Sequence, residues 1–327
     1  MRDEPDGSFL DAVEPLRGAL RLHCYRMLGS SHDGDDVVQE TMLRAWRARE
    51  SLDDPSLLRP WLYRIATNAC MDELKRRPRR ALSSDAFPPA DPSASYAAPI
   101  HEPVWLEPMP DAWLASAGAV DPSAKYTLKE SVALAFVAAL HMLSAAQRAT
   151  LLLRDVVGLS AEETAEALGM SVAAANSALF RARTAVEEKL GGRDASAFAA
   201  GADVDEALLA RYVRAFEEAN IEELVALFHD DVKTTMPPSP TWIAGRAANE
   251  VFYRQMFAKL GRGAVRVVRT AANGQPAFGF YRAASPGAPR TLHAIQVVLL
   301  RDGKLASMDH FMTSEAFPVF AMPEHAP

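Results

Sequence analysis

One long segment without basic residues most constrains how this chain can fold. Between Ala81 and Ala124 there is no lysine or arginine, and prolines are frequent. A connection of this length is uncommon inside a compact domain and is either functional or disordered. In a chain of 327 residues it predicts a multidomain protein, with an acidic linker over residues 81–126. The acids of the segment are Asp85, Asp91, Glu102, Glu107, Asp111 and Asp121.

Within this linker, the stretch "HEPVWLEPMPDAWL" places two tryptophans among prolines and acids. Disordered segments are usually poor in tryptophan. We therefore expect this stretch to dock on a surface, either of this protein or of a partner.

The composition excludes several classes of protein. The formal net charge of -7 argues against a chain that coats nucleic acid by bulk charge, so any such contact must come from local basic patches or through a partner. Cys24 and Cys70 lack metal-type spacing and are expected to be buried, reduced thiols. The start "MRDEPDGSFL" lacks a signal-peptide pattern, and no apolar run is long enough to span a membrane. These features predict a cytoplasmic protein with no membrane, metal or cofactor site.

Residues 8–80 have the pattern of three or four helices, of which the last is the most informative. In "RPWLYRIATNACMDELKRRPRR" the apolar residues recur at three- and four-residue spacing, which predicts a helix packed on one face. Pro78 ends the pattern. Cations suit a helix C-terminus, so the basic run does not by itself indicate contact with nucleic acid. That run comprises Lys75, Arg76, Arg77, Arg79 and Arg80.

A second helical block is predicted over residues 127–190. Ser160 and Glu163 form a capping-box pattern, Gly169 interrupts the apolar periodicity, and Ser171 can cap a second helix. Two short helices joined by a tight glycine turn predict a helix-turn-helix. The second helix carries small and amide side chains, which allow close approach to base edges, followed by arginines for phosphates. The candidate DNA-contacting residues are Ser171, Ala173, Ala174, Asn176, Ser177, Arg181 and Arg183.

Two helical blocks joined by an acidic linker resemble a bacterial sigma factor of the extracytoplasmic-function (ECF) group. The motif "HDGDDVVQETMLRAWRA" resembles the helix of the second conserved sigma region that binds the clamp helices of the largest subunit of RNA polymerase. The resemblance implies that Trp46 supports this helix and that the linker enters the basic nucleic-acid channel of polymerase. The polymerase-binding residues that it implies are Asp35, Asp36, Gln39, Glu40 and Arg44.

The same resemblance assigns DNA contacts. "WLYRIATNACMDELKRR" is similar to the portion that separates and recognises the promoter −10 element, which implies that Asn68 holds an extruded base and that the basic run follows the phosphates. Leu52 stands at a loop position that is aromatic in some relatives, whereas Trp61 is expected in the core. The second block corresponds to region 4, which binds the −35 element and the flap region of polymerase. Asn176 replaces the usual basic residue, which should change the −35 preference.

Residues 203–320 combine helices with period-2 segments such as "TLHAIQVVLL", which predict strands. They resemble the SnoaL-like branch of the cone-shaped α+β folds related to nuclear transport factor 2, which some ECF sigma factors carry as an extension. The predicted fold is thus two all-α helical domains followed by an α+β domain that regulates them in cis. Asp309 and His310 are neighbours on a strand and should point to opposite faces. The candidate pocket residues are Phe228, Trp242, Tyr281, His293, Asp309 and His310.

Two alternatives remain open at this stage. The chain could be a helix-turn-helix regulator that binds DNA without polymerase and senses a ligand through its third block. It could also be a bifunctional protein with cyclase or isomerase activity of the SnoaL type, although no unmistakable acid/base pair gathers on one face. Fold alone does not decide among these functions. We favour a sigma factor without catalytic activity.

Overall fold

The computed structural model describes residues 7–76, 80–100, 104–117, 125–190, 205–283, 288–314 and 317–326. The chain divides into two compact units, neither of which is continuous in sequence. Unit 1 comprises residues 1–80 and 111–192, and unit 2 comprises residues 81–110 and 193–327. The acidic linker is thereby split, since residues 81–110 belong with the C-terminal domain. Among the described residues, no helix is both long and apolar enough to cross a bilayer.

In its described residues unit 1 is helical, except for Arg80, which begins a two-residue strand. The side chain of Ser30 caps α3 by accepting a hydrogen bond from the Asp33 amide at 3.1 Å. Gly34 lets α2 and α3 approach closely, because a Cβ there would lie 3.2 Å from the Tyr25 backbone nitrogen. Cys24 and Cys70 are buried free thiols, as predicted. The helices are α1 (Gly7–Val13), α2 (Arg17–Leu28), α3 (Ser31–Arg47), α4 (Leu58–Arg76), α5 (Leu134–Met142), α6 (Ala145–Leu151), α7 (Ala161–Leu168) and α8 (Val172–Leu190), with a short turn at Ala112–Ala115 and a π-helical segment at Leu152–Val157.

The two helical blocks of unit 1 are joined by arginines that donate hydrogen bonds to main-chain carbonyls. Arg26 donates to the Ser131 carbonyl at 3.0 Å and to the Ser131 hydroxyl at 2.6 Å. Arg148 donates to the Met27 carbonyl, and Arg59 to the Val157 carbonyl. Burial lowers the pKa of Arg26 to about 10, which leaves it charged at neutral pH. The blocks that the sequence suggested as two domains therefore form one unit.

Unit 2 is built on a six-stranded mixed sheet. Its strand order is β2-β1-β6-β5-β4-β3, in which only the β1–β6 pair is parallel. Three helices pack on one face around an aromatic core that includes Tyr212, Phe216 and Tyr253. The strands are β1 (Phe228–Thr235), β2 (Trp242–Ala244), β3 (Val265–Ala272), β4 (Gln275–Ala283), β5 (Arg290–Arg301) and β6 (Lys304–Phe311), and the helices are α9 (Glu206–Glu217), α10 (Ile221–Ala226) and α11 (Arg246–Leu260).

The described linker residues, 81–100 and 104–110, run along unit 2 and are fastened to it by hydrogen bonds. The Trp242 indole donates to the Phe87 carbonyl at 2.8 Å, and the Ala97 amide donates to the Thr241 hydroxyl at 3.0 Å. The short elements of this segment are a helical turn at Ser83–Ala86 and the two-residue strands Arg80–Ala81 and Val104–Trp105. Trp105 is buried in unit 2, whereas Trp113 is buried in unit 1, so the predicted docking stretch contributes to both.

Candidate functional sites

The outer face of α3 carries a polar stripe. Asp36 and Gln39 are exposed, whereas Asp35 forms an ion pair with Arg21 at 2.9 Å. Glu40 accepts a hydrogen bond from Arg44 at 2.8 Å, and this pair is half-buried. Trp46 packs against Phe9 and lies under the Arg49 guanidinium, so it supports the helix rather than the stripe. The structure thus leaves Asp36 and Gln39 as the acid and amide most open to a partner.

Leu43 adds an apolar side chain to this stripe that the sequence analysis did not single out. It lies one helical turn after Gln39 and is 52% exposed. An exposed leucine in isolation needs no explanation. Here it stands in a row with Asp36 and Gln39, and apolar residues surrounded by polar ones are typical of protein interfaces. The spacing of 36, 39 and 43 could have revealed it from the sequence.

Helix α4 exposes Asn68 to solvent, whereas the adjacent residues Thr67 and Ala69 are buried. Thr67 is buried and contacts His23 Nε2 at 2.9 Å through its hydroxyl, and Trp61 is buried as expected. Burial, followed by the charge of Arg26, lowers the pKa of His23 to about 3, so this imidazole is neutral at pH 7. The buried side of the helix therefore fixes the orientation of Asn68. Leu52 lies half-buried in the loop before α4.

The basic run after α4 separates into residues of different kinds. Lys75 and Arg76 are exposed and make only weak pairs with acids three residues before them. Arg80 is buried and its guanidinium lies 2.6 Å from Asp33 Oδ2. We correct its assignment, because a side chain committed to a buried carboxylate is not free to bind phosphate. Arg77 and Arg79 lie outside the described residues.

Helices α7 and α8 form the predicted helix-turn-helix. Both hydrogen bonds of the capping box form. The Glu163 amide donates to Ser160 Oγ at 3.0 Å, and the Ser160 amide donates to Glu163 Oε2 at 2.7 Å. Gly169 ends α7 at φ 62°, a left-handed conformation that favours glycine. Ser171 accepts a hydrogen bond from the Ala174 amide at 3.2 Å. The capping box, the glycine turn and the Ser171 cap that the sequence predicted for this motif are confirmed.

The exposed face of α8 and the capping residue before it contain six of the seven candidate DNA-contacting residues. Arg183 differs, since it forms a bidentate ion pair with the buried carboxylate of Asp155, with bonds of 2.8 and 2.6 Å. It therefore holds α8 against the preceding segment, and we correct its assignment as a phosphate contact. Phe180 was missed by the sequence analysis and is 73% exposed. The six exposed candidates are Ser171, Ala173, Ala174, Asn176, Ser177 and Arg181.

Unit 2 contains a cavity of about 320 Å³, open to solvent on one side, that is lined by residues of its sheet and of α11. Of the six candidate pocket residues, His293 and His310 line this cavity. Phe228 lies in the aromatic core, and Trp242 instead holds the linker. Tyr281 lies on the opposite face of the sheet, where its hydroxyl donates to the Pro323 carbonyl at 2.9 Å. Phe228, Trp242 and Tyr281 are therefore not cavity walls.

Asp309 points away from the cavity and from His310, as strand geometry requires. Its carboxylate accepts hydrogen bonds from Thr235 at 2.8 Å and from Ser307 at 3.0 Å. Burial raises its pKa to about 6, and the two hydroxyls partly offset this effect. Burial also lowers the pKa of His310 to about 3, with a further contribution from His293. Asp309 and His310 therefore do not form an acid/base pair in one site.

Comparison with known protein families divides the chain at similar positions. Residues 12–80 match Sigma-70 region 2, residues 133–186 match Sigma-70 region 4, and residues 209–308 match a SnoaL-like domain. The first two matches cover the stripe on α3, Asn68 and the helix-turn-helix. The third covers most of the C-terminal sheet.

Two relatives align with nearly the whole chain. The ECF RNA polymerase sigma factor SigG of Mycobacterium tuberculosis is 41% identical over 324 residues, which cover 98% of this chain and 86% of SigG. The ECF RNA polymerase sigma factor SigJ of the same organism is 29% identical, with 90% of this chain and 88% of SigJ covered. The crystal structure of SigJ has the same fold, with a TM-score of 0.65 at 23% identity over 96% of this chain and all of SigJ.

Proposed function

This chain belongs to the ECF RNA polymerase sigma factors, and from that premise we propose which of its surfaces bind polymerase and promoter DNA. As a sigma factor it binds core RNA polymerase and directs transcription initiation. The observation that carries the assignment of surfaces is the exposure of Asn68 on a helix whose other side is buried. Asn68 is thus available to a base while α4 remains anchored.

We infer that the stripe on α3 is the surface that binds the clamp helices of the largest polymerase subunit. Asp36 and Gln39 supply an exposed charge and an exposed amide, and Leu43 supplies the apolar centre that polar contacts surround in stable interfaces. Asp35, Glu40 and Arg44 are already paired within unit 1. They contribute to the shape and charge of the stripe at its edges. The flap region is proposed as the partner of the second helical block.

Replacing Leu43 with aspartate should weaken binding to core polymerase by about tenfold or more, because a charge would be buried in the apolar centre of the interface. The affinity is measured by titrating labelled sigma factor with core polymerase. Leu10→Asp is the matched control, since Leu10 is another exposed leucine, at 45%, on α1. An equal loss for both variants, or no loss for Leu43→Asp, would exclude this stripe as the interface.

The promoter contacts fall on two helices. We propose that Asn68, with Leu52 as a wall, holds a base of the −10 element, and that Lys75 and Arg76 contact adjacent phosphates. An amide offers both a donor and an acceptor to a base edge. On α8 the six exposed candidates would approach the −35 element, with Arg181 at its phosphates. These assignments rest on exposure and on the chemistry of each side chain.

We propose that the SnoaL-like domain regulates the sigma factor by holding the linker. Ordered contacts fasten Phe87 and Ala97 to unit 2, and a segment held in this way cannot extend into the basic channel of polymerase. The domain would act as a regulatory module rather than as an enzyme, since Asp309 and His310 face different ways. A protein that serves polymerase would act in the cytoplasm.

Loosening this attachment should increase transcription. Thr241→Val removes one hydrogen bond to the linker at nearly constant shape, and Trp242→Phe removes a second together with part of the indole ring, at a cost of about 1 kcal/mol or more each. Together they should raise run-off transcription from a cognate promoter between about threefold and thirtyfold, if linker release limits initiation. Thr291→Val, at an exposed threonine of the same sheet, should change nothing. Unchanged or reduced output from the double variant would contradict regulation by linker release.

A further inference from the structure

The cavity of unit 2 is apolar over most of its wall but carries charge of only one sign. Its apolar lining includes Phe216, Phe252, Met256, Phe280 and Met312. Its volume of about 320 Å³ lies at the lower end of the range for small-molecule sites. Nothing in the sigma activity of unit 1 uses this space.

The ionisable side chains that line the cavity are two cations, two imidazoles and two tyrosine phenols. Lys259 of α11 and Arg282 of β4 both line it on its solvent-exposed side, and neither forms an ion pair with another described residue. No aspartate or glutamate belongs to the described lining, and Asp309 faces the other side of the sheet. Two unpaired cations beside an apolar chamber favour a ligand that has both an anionic and an apolar part.

A β-bulge brings one of the imidazoles into the cavity. Phe280 pairs with Ala294 and Tyr281 pairs with Leu292, so His293 is the extra residue on β5. His293 and Gln296 are three residues apart, so simple alternation would place their side chains on opposite faces of the sheet. Because of the bulge, both side chains line the cavity. The rings of His293 and His310 are 6.5 Å apart. A neutral imidazole still has one N–H to donate, so the two rings add hydrogen-bond donors to the cavity. Burial lowers the pKa of His293, and the charge of Arg282 lies close enough to lower that pKa further.

We propose that this cavity binds an amphipathic monocarboxylate, with its apolar body among the aromatic and methionine side chains and its carboxylate at Lys259, Arg282 and the two histidines. The volume suits a molecule of about ten to fifteen heavy atoms rather than a long-chain lipid. Such a ligand would satisfy both cations and displace water from the apolar wall.

The linker covers part of this cavity. Ala94, Ser95 and Tyr96 belong to its lining, and the Tyr96 ring packs against Phe252 with centroids 5.4 Å apart. The adjacent Ala97 is held on both sides, because its amide donates to Thr241 and its carbonyl accepts from Ser239. An occupant beneath Tyr96 therefore contacts the segment that the proposed regulation depends on.

The experiment is calorimetric titration of the full-length protein with octanoate and with 1-octanol, which has the same chain length but no charge. We expect octanoate to bind with one site per chain, and octanol to bind at least about tenfold more weakly. Lys259→Ala combined with Arg282→Ala should weaken octanoate at least about tenfold and leave octanol unchanged. Arg254→Ala is the matched control, since Arg254 lies on the same helix but pairs with Glu250 at 2.8 Å.

A filled cavity provides a second, independent variant. Met256→Trp places a larger side chain in the cavity and should abolish binding of both probes. No binding of octanoate to a folded protein, equal affinity for the two probes, or unaltered octanoate binding by Met256→Trp would each overturn the proposal.

The effect on the linker rests on the proposed regulation and is measured separately. Octanoate should change the hydrogen-exchange rate of the Ala97 amide in the wild-type protein and not in Lys259→Ala/Arg282→Ala. If octanoate binds in the calorimeter but the hydrogen-exchange rate of the Ala97 amide does not change, the binding site stands and only its coupling to the linker is rejected.

Discussion

Asn68→Ala should lower the yield of open promoter complexes by about tenfold to a hundredfold while leaving the affinity for core polymerase nearly unchanged. A two-point hydrogen bond between an amide and a base edge contributes about 1–3 kcal/mol, and the alanine variant forfeits all of it. The anchor of α4, through Thr67 and His23, stays intact because the substitution is on the exposed side. Open complexes are counted by the chemical reactivity of unpaired thymines within the −10 element.

The control is the same substitution on the other helix that we propose to contact DNA. Asn176 is also an exposed asparagine, but it lies on α8. On a template whose −10 region is already unpaired and whose −35 element is replaced, Asn68→Ala should still reduce binding, whereas Asn176→Ala should have no effect. If Asn68→Ala instead reduced polymerase affinity as much as promoter opening, α4 would face polymerase and the assignment would be wrong.

Local patterns predicted local structure well. The Ser160–Glu163 capping box, the glycine turn at Gly169 and the cap at Ser171 involve residues within a few positions of one another. Short-range hydrogen bonds of this kind depend on little besides the sequence around them. The segments that the period-2 pattern predicted as strands are strands in the structure, because the β-branched and apolar residues within a segment favour an extended backbone.

Long-range pairing was the main source of error at the candidate sites. Arg80 and Arg183 look like phosphate-binding residues in a basic run and on a recognition helix, yet their partners Asp33 and Asp155 lie 47 and 28 residues away in sequence. A single sequence does not show which carboxylate approaches which guanidinium. The β-bulge at His293 could not be predicted for a similar reason. It depends on how β5 pairs with β4, and it places the His293 side chain on the face opposite to the one that simple alternation gives.

The division of the linker could not be predicted either. Trp105 and Trp113 stand eight positions apart in one acidic, proline-rich stretch, and the sequence predicts that both dock on a surface. They are buried in different units because Asp111 marks the return of the chain to unit 1. Which surface each tryptophan covers depends on helices and strands that are distant in sequence.

Loss of the buried ion pair between Arg80 and Asp33 should have the second large effect, a loss of stability. Arg80→Met should destabilise the α3 region by about 3–5 kcal/mol, because it leaves the Asp33 carboxylate buried without its guanidinium. Asp33→Asn should be destabilising for the converse reason. The double variant should lose less than the sum of the two, since both members of the ion pair are then absent. Because two compact units need not unfold together, native-state hydrogen exchange of the α3 amides is the suitable measurement.

Arg76→Ala is the matched control from the same basic run, and it should show the opposite pattern. Arg76 is 77% exposed and lies 3.8 Å from Glu73, so its removal should change stability by no more than about 0.5 kcal/mol. As a phosphate contact, it should weaken promoter binding and reduce the slope of log affinity against log salt by about one. Arg80→Met, in contrast, should leave that slope unchanged in whatever fraction of the protein is folded. A reduced slope for Arg80→Met with unaltered exchange at α3 would restore Arg80 to the DNA interface, because the buried ion pair predicts the reverse on both measurements.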